Sequence, residues 1–192
     1  MASDSAQDLV PLTEAGVAID LDRVYREHAP SVSRWALRLG GQKDVSDTVQ
    51  EVFEIAQRRL SSFRGDSKLT TWLYSITVRV VQARRRKARL RALLFLQARA
   101  EFELDPGSGE SPADELQRQH ATHIVYAVLD RLSERDRTLL ILFELERLAT
   151  AEIAEILVIS ENSVSVGLHR ARGRFRHLLR VNFPDEAESI RP

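Results

Sequence analysis

Cysteine is absent from the 192-residue chain. That excludes a disulfide framework, thiol catalysis, and thiolate-held zinc or iron–sulfur sites. Long apolar runs are missing too. Stretches such as Ala92–Leu96 and Leu139–Phe143 have five residues each, far short of the length that crosses a bilayer, so membrane insertion is not expected. The opening MASDSAQDLVPL has no basic residue and no apolar core, so it does not read as a secretory signal, and a cytoplasmic location is the expectation. Net charge of one sign is also lacking, with 28 Lys+Arg against 28 Asp+Glu. What remains is 43% apolar and 29% charged residues, the balance of a globular protein long enough for one or two cored domains.

The neutrality is a sum of segregated blocks. Residues 1–20 hold four acids and no base, and residues 101–116 hold six acids and no base. Residues 61–100 hold ten bases against Asp66 alone, and Arg170–Arg180 carries five arginines without an acid. Two basic blocks separated by acidic segments are the footprint of a protein that binds a polyanion. The acidic tail and connector could then fold over the basic surfaces and keep the free protein off nucleic acid.

Period-two alternation is missing, whereas helical spacing recurs throughout. Val45, Val49, Val52, Phe53 and Ala56 share one face, and Leu69, Trp72, Leu73, Ile76 and Val80 another. Further on, Leu116, His120, Ile124, Ala127 and Val128 form a stripe, and Val164, Leu168, Ala171, Phe175 and Leu178 a longer one. Gly40-Gly41 reads as a helix stop, and Asp44, Ser133 and Ser160 as helix caps. The segment FELDPGSGESPA at 102–113 has loop composition and no helical period. The expected fold class is therefore all-α, with two small helical domains joined by a flexible acidic linker. Its divisions are an acidic tail at 1–20, a first domain at 21–100, a linker at 101–115, a second domain at 116–181 and a C-terminal tail at 182–192.

In the second half, a short helix Thr150–Leu157, burying Ile153, Ala154 and Leu157, is followed by a break at 158–160 and then a long helix. This is the pattern of a helix-turn-helix. Its second helix would offer Glu161, Asn162, Ser163, Ser165, Val166 and His169 to a major groove, with Arg170, Arg172 and Arg174 nearer the phosphates. An ordinary helical hairpin with a solvated arginine face fits the periodicity equally well.

The first half holds an acidic helix face of Asp44, Asp47, Gln50, Glu51 and Glu54, which by itself reads as a solvated surface. After it come a polar loop, Ser61–Ser67, and a helix opening Thr71-Trp-Leu-Tyr74 that runs into Arg84–Arg91. Rings beside a basic helix are the materials for holding unstacked bases. Trp72 lies on the apolar stripe and reads as core, whereas Tyr74 lies off it and reads as the exposed ring. The arginines are too dense for a core and read as a phosphate-contacting surface.

Asp44-Val-Ser-Asp-Thr-Val-Gln-Glu-Val-Phe53, Phe63-Arg-Gly-Asp66 and Thr71-Trp-Leu-Tyr74 resemble domain two of the extracytoplasmic-function (ECF) sigma factors of bacterial RNA polymerase. Leu132-Ser-Glu-Arg-Asp-Arg137, Ala151-Glu-Ile-Ala-Glu-Ile-Leu157 and Leu168-His-Arg-Ala-Arg172 resemble that family's domain four. The resemblance implies a promoter-specificity subunit, not an enzyme, needing no cofactor or metal. It assigns docking on the largest polymerase subunit to Asp44, Asp47, Gln50, Glu51 and Phe53. It assigns the −10 promoter element to Phe63, Arg64, Gly65, Asp66, Ser67, Tyr74, Arg79, Arg84, Arg85 and Arg86. The −35 element falls to the recognition-helix residues named above, Glu161 to Arg174, in a domain that also docks on the second-largest subunit. An anti-sigma factor is the implied regulator. The alternative function is a polymerase-docking regulator, or a helix-turn-helix protein with degenerate promoter readout.

Three departures from the family pattern stand out. Ser75-Ile-Thr-Val-Arg79 occupies the place of Arg-Ile-Ala-Arg-Asn, and Ser163-Val-Ser-Val-Gly-Leu168 that of Thr-Val-Lys-Ser-Arg-Leu. Val158 stands where the turn often has glycine.

Overall fold

The computed structural model describes residues 20–41, 44–60, 63, 65, 67–95 and 112–189, with the side chains of 92–95, 112–118 and 189 excepted. Every regular element among them is helical. The acidic tail, most of the acidic connector, Arg64 and Asp66 lie outside the described residues. The chain divides into two compact units, Met1–Arg91 and Ala92–Pro192.

The first unit holds α1 (Leu21–Gly40), α2 (Val45–Arg59) and most of α3 (Leu69–Phe95). Asp20 caps α1 by accepting the Asp22 N–H at 3.1 Å, and Gly41, at φ 88°, closes it with its N–H on the Leu37 carbonyl at 2.8 Å. On the exposed side of α1, a hydrogen bond from Arg23 holds the Glu27 carboxyl below the ordinary carboxylate range. Asp44 precedes α2 as expected but does not cap it with its side chain. It sits in the left-handed region at φ 64°, and its carbonyl takes the Thr48 N–H and hydroxyl at 2.9 and 2.8 Å. The α2 stripe buries Thr48, Val49, Val52, Phe53 and Ala56. Phe53 meets Tyr25 of α1 edge-on at 4.7 Å between centroids. Helix α3 is buried all round from Leu73 to Val78, which makes it the central element of the unit. Thr77 and Ser75 satisfy their buried hydroxyls by donating to the Leu73 and Trp72 carbonyls.

The second unit holds α4 (Pro112–Leu129), α5 (Glu134–Leu140), α6 (Thr150–Leu157), α7 (Glu161–Asn182) and α8 (Pro184–Ser189). Helix α4 begins inside the stretch expected to be linker. Pro112 stands at its first position, where a missing N–H costs nothing. The tail expected after 181 is not all irregular: Phe183 and Ala187 pack with Phe175 and Leu178 against Ile124, Val128 and Leu179. Helix α5 continues into a single π turn, Ile141–Leu145, a wider winding that periodicity at 3.6 residues does not reveal. Caps at Ser133 and Ser160 form as expected, accepting the N–H groups of Asp136 and Ser163 at 3.1 and 3.2 Å. In α6 the buried residues are Ile153, Ala154 and Ile156, with Leu157 only partly covered.

Candidate nucleic-acid interface

Helix α2 turns one face to the core and leaves the other to the acidic stripe. Asp44, Asp47, Gln50 and Glu54 are exposed and Glu51 is half-buried. Gln50 donates to Glu54 at 3.0 Å along that face. Phe53 differs from the expectation of a docking residue, because it belongs to the core at 6% exposure.

The aromatic expectation is reversed by the structure. Tyr74 is buried, stacked on Trp35 of α1 at 4.1 Å with 13° between planes. Burial on all sides of α3 overrides the helical-face argument that placed it outside. Phe63 is buried as well, tilted against Trp72 at 5.2 Å, and Trp72 is the ring left partly accessible at this end of α3. Gly65, at φ 74°, adopts a conformation that disfavours side chains, and Ser67 beside it is half-buried.

Downstream, Arg79, Ala83, Arg86 and Leu90 are exposed and recur at helical spacing, so they form the outward stripe of α3. Lys87 is exposed too, and Arg85 is half-buried. Arg84 turns the other way. Its Nε donates to the Glu51 carboxylate at 2.7 Å and its Nη2 to the Asp47 carbonyl at 3.1 Å. The phosphate-contacting role expected of Arg84 is thus replaced, in this conformation, by a tie between α3 and α2. The departures at Ser75, Thr77 and Val78 fall on buried positions, so exposed positive charge on this helix starts at Arg79.

In the second unit the turn between α6 and α7 puts Val158 in the left-handed region, at φ 55° and ψ 52°. Ile159 then donates to the Ala154 carbonyl at 3.0 Å, which closes α6 as a glycine would. Helix α7 buries Val164, Leu168, Ala171 and Leu179. Glu161, Asn162, Ser165, Val166, His169 and Arg170 are exposed, and Ser163 is half-buried. Gly167 explains itself through packing, since a Cβ there would lie 2.7 Å from Cδ1 of buried Leu139. Any side chain at this position, including the arginine of the family pattern, would require that Leu139 methyl to shift.

Two of the expected phosphate ligands are occupied within the unit. Arg174 donates to both oxygens of buried Asp136 at 2.9 and 2.7 Å, and the Ser133 hydroxyl adds a third bond to that carboxylate at 2.8 Å. Arg172 pairs with Glu144 at 2.7 Å and lies 4.9 Å over the Phe143 ring. Buried Arg137, at 1% exposure, donates to Asp130 at 2.9 Å and faces the Tyr126 ring. The Leu132–Arg137 motif is therefore a set of internal charge pairs that holds α5 to its neighbours. Sequence reasoning missed this because nothing at i, i+3 or i, i+4 reveals a partner 38 residues away.

Two family models match, Sigma-70 region 2 over residues 24–91 and Sigma-70, region 4 over residues 122–175. Both modules in one chain, in that order, define a sigma-70-type transcription initiation factor. The chain is 34% identical over 139 residues to the ECF RNA polymerase sigma-E factor of Escherichia coli K12, covering 67% of this chain and 70% of that one. It is 29% identical over 174 residues to the sigma-E factor of Haemophilus influenzae, covering 86% and 90%. The same identity over 154 residues, 79% and 87%, relates it to the sigma factor YlaC of Bacillus subtilis. The protein belongs to the ECF sigma factor family. Its fold is shared with the sigma factor RpoE, solved in complex with the anti-sigma factor NepR from Bartonella quintana, at TM-score 0.57, 21% identity, and 85% and 98% coverage. CnrH, solved with the cytosolic domain of CnrY, gives the same score and identity at 84% and 88% coverage. No helix among the described residues is long and apolar enough to cross a membrane.

Proposed function

We propose that this sigma factor acts in the cytoplasm, where it docks on core RNA polymerase through Asp44, Asp47, Gln50 and Glu51 and brings the enzyme to −10/−35 promoters. It is a specificity subunit and carries out no covalent chemistry of its own. The observation that carries this reading is the juxtaposition of an exposed acidic face on α2 with an exposed basic stripe on α3, in a chain whose second unit holds a helix-turn-helix. Arg79, Arg86 and Lys87 would track phosphate at the −10 element, while Gly65 and Ser67, with Arg64 and Asp66, would border the separated strand. Trp72, partly accessible where Tyr74 is buried, would be the ring that takes part. On α7, Asn162, Ser165, Val166 and His169 would face the −35 groove with Arg170 beside them, whereas Arg172 and Arg174 would first have to leave their carboxylates.

An anti-sigma factor would be its regulator, a reading supported by the fold relative RpoE having been solved with one, NepR. Permanganate footprinting of holoenzyme on fragments of the source genome tests the reading. Reactive thymines near a transcription start support it, and an unreactive duplex at every start overturns it.

A further inference from the structure

The outward face of α7 presents an aliphatic side chain where the family pattern has a polar one. Val166 is 42% exposed. At about 100° per residue it lies roughly diametrically opposite the buried stripe of Val164, Leu168 and Ala171, at the centre of the face turned away from the unit. Its polar neighbours are largely occupied. The Ser165 hydroxyl donates to the Glu161 carbonyl at 3.1 Å, the Ser163 hydroxyl pairs with that of Ser160 at 2.8 Å, and the Glu161 carboxylate receives Thr150 at 3.4 Å. Asn162 and His169 flank Val166 one turn to either side, both exposed. A branched aliphatic group at the centre of a groove-facing helix has one good partner on a base edge, the C5-methyl of thymine, which projects into the major groove.

We infer that Val166 is a specificity-determining residue that reads the 5-methyl group of one thymine in the upstream promoter element. The inference rests on α7 being the −35 helix.

The test uses full-length protein assembled with core RNA polymerase on a promoter that this holoenzyme transcribes, made by PCR so that it carries no 5-methylcytosine. Each thymine of the upstream element is replaced singly by deoxyuridine, which removes only the methyl. One replacement should weaken holoenzyme binding about fourfold, the effect of about one buried methyl. V166A should lose about the same on the thymine template and show no further loss at that deoxyuridine. Upstream protection with no sensitive thymine, or a deoxyuridine penalty unchanged in V166A, overturns the inference while leaving α7 in the groove. Binding only to a CpG-methylated template reassigns the contact to 5-methylcytosine and overturns thymine. Absence of any protection over the upstream element overturns the −35 reading itself, and the inference with it.

Discussion

Arg84 donates to the carboxylate of Glu51 at 2.7 Å, joining the basic helix α3 to the acidic face of α2 across 33 residues of chain. The same guanidinium reaches the Asp47 carbonyl, so one side chain spans two residues of the face proposed to dock on polymerase. Any cation of the polymerase that engages Glu51 competes with Arg84. The exchange would release Arg84 beside the basic stripe where DNA is expected.

The energetic consequence is small and measurable. Both partners are more than a third exposed, at 34% and 40%, so solvent screens the pair and its coupling should stay below about 1 kcal/mol. A double-mutant cycle of Arg84→Ala and Glu51→Ala by urea denaturation should find a value in that range.

Salt titration sorts the arginines of α3. Arg86→Ala should lower the slope of log K against log salt for holoenzyme–promoter binding by about one unit, as for a lost phosphate contact. Arg84→Ala should lower it by less, because its guanidinium is already engaged by a carboxylate. Equal slopes for wild type and Arg86→Ala would place Arg86 away from DNA.

On α7 the division is between stability and binding. Removing Arg174 takes from Asp136, with its side chain 7% exposed, the nitrogen that meets both its oxygens, but Arg174 is itself 57% exposed and the Ser133 bond remains, so Arg174→Ala should destabilise the second unit by about 1–2 kcal/mol. Arg170 is exposed, so Arg170→Ala should leave the melting temperature within about 1 °C and reduce the salt slope instead.

Val158 holds a β-branched side chain at φ 55° while 72% exposed, so strain is present and little burial offsets it. Val158→Gly should stabilise by about 1 kcal/mol, after the extra chain entropy of glycine is subtracted. A lower melting temperature would contradict the strain.

Gly167→Ala sets a helix-propensity gain of about 1 kcal/mol against overpacking on Leu139 of about 1–3 kcal/mol. Net destabilisation is expected. Combination with Leu139→Val should recover at least about 0.5 kcal/mol relative to the sum of the single changes.

The helices, their caps at Ser133 and Ser160, and the break at 158–160 were legible because each depends on residues within one or two turns. Tyr74 was not. A face argument presumes a helix with one wet side, and α3 is enclosed from Leu73 to Val78 by elements whose packing no local spacing reveals. The arginines were legible as a charge block but not as individuals. Arg84, Arg172 and Arg174 find acids 28 to 38 residues away, while Arg79, Arg86 and Arg170 face solvent. In the sequence Gly167 is only a departure from the family pattern, and it becomes explicable once Leu139 is seen against it.

Run-off transcription with purified core RNA polymerase tests the central claim most directly, comparing the wild-type chain with a variant carrying Asp47→Lys and Glu51→Lys. The account predicts discrete transcripts from a small set of genomic fragments with the wild type. The variant, with a circular dichroism spectrum like that of the wild type, should give at most about a tenth of that yield. No wild-type transcript above core polymerase alone, or full activity from the variant, would contradict it.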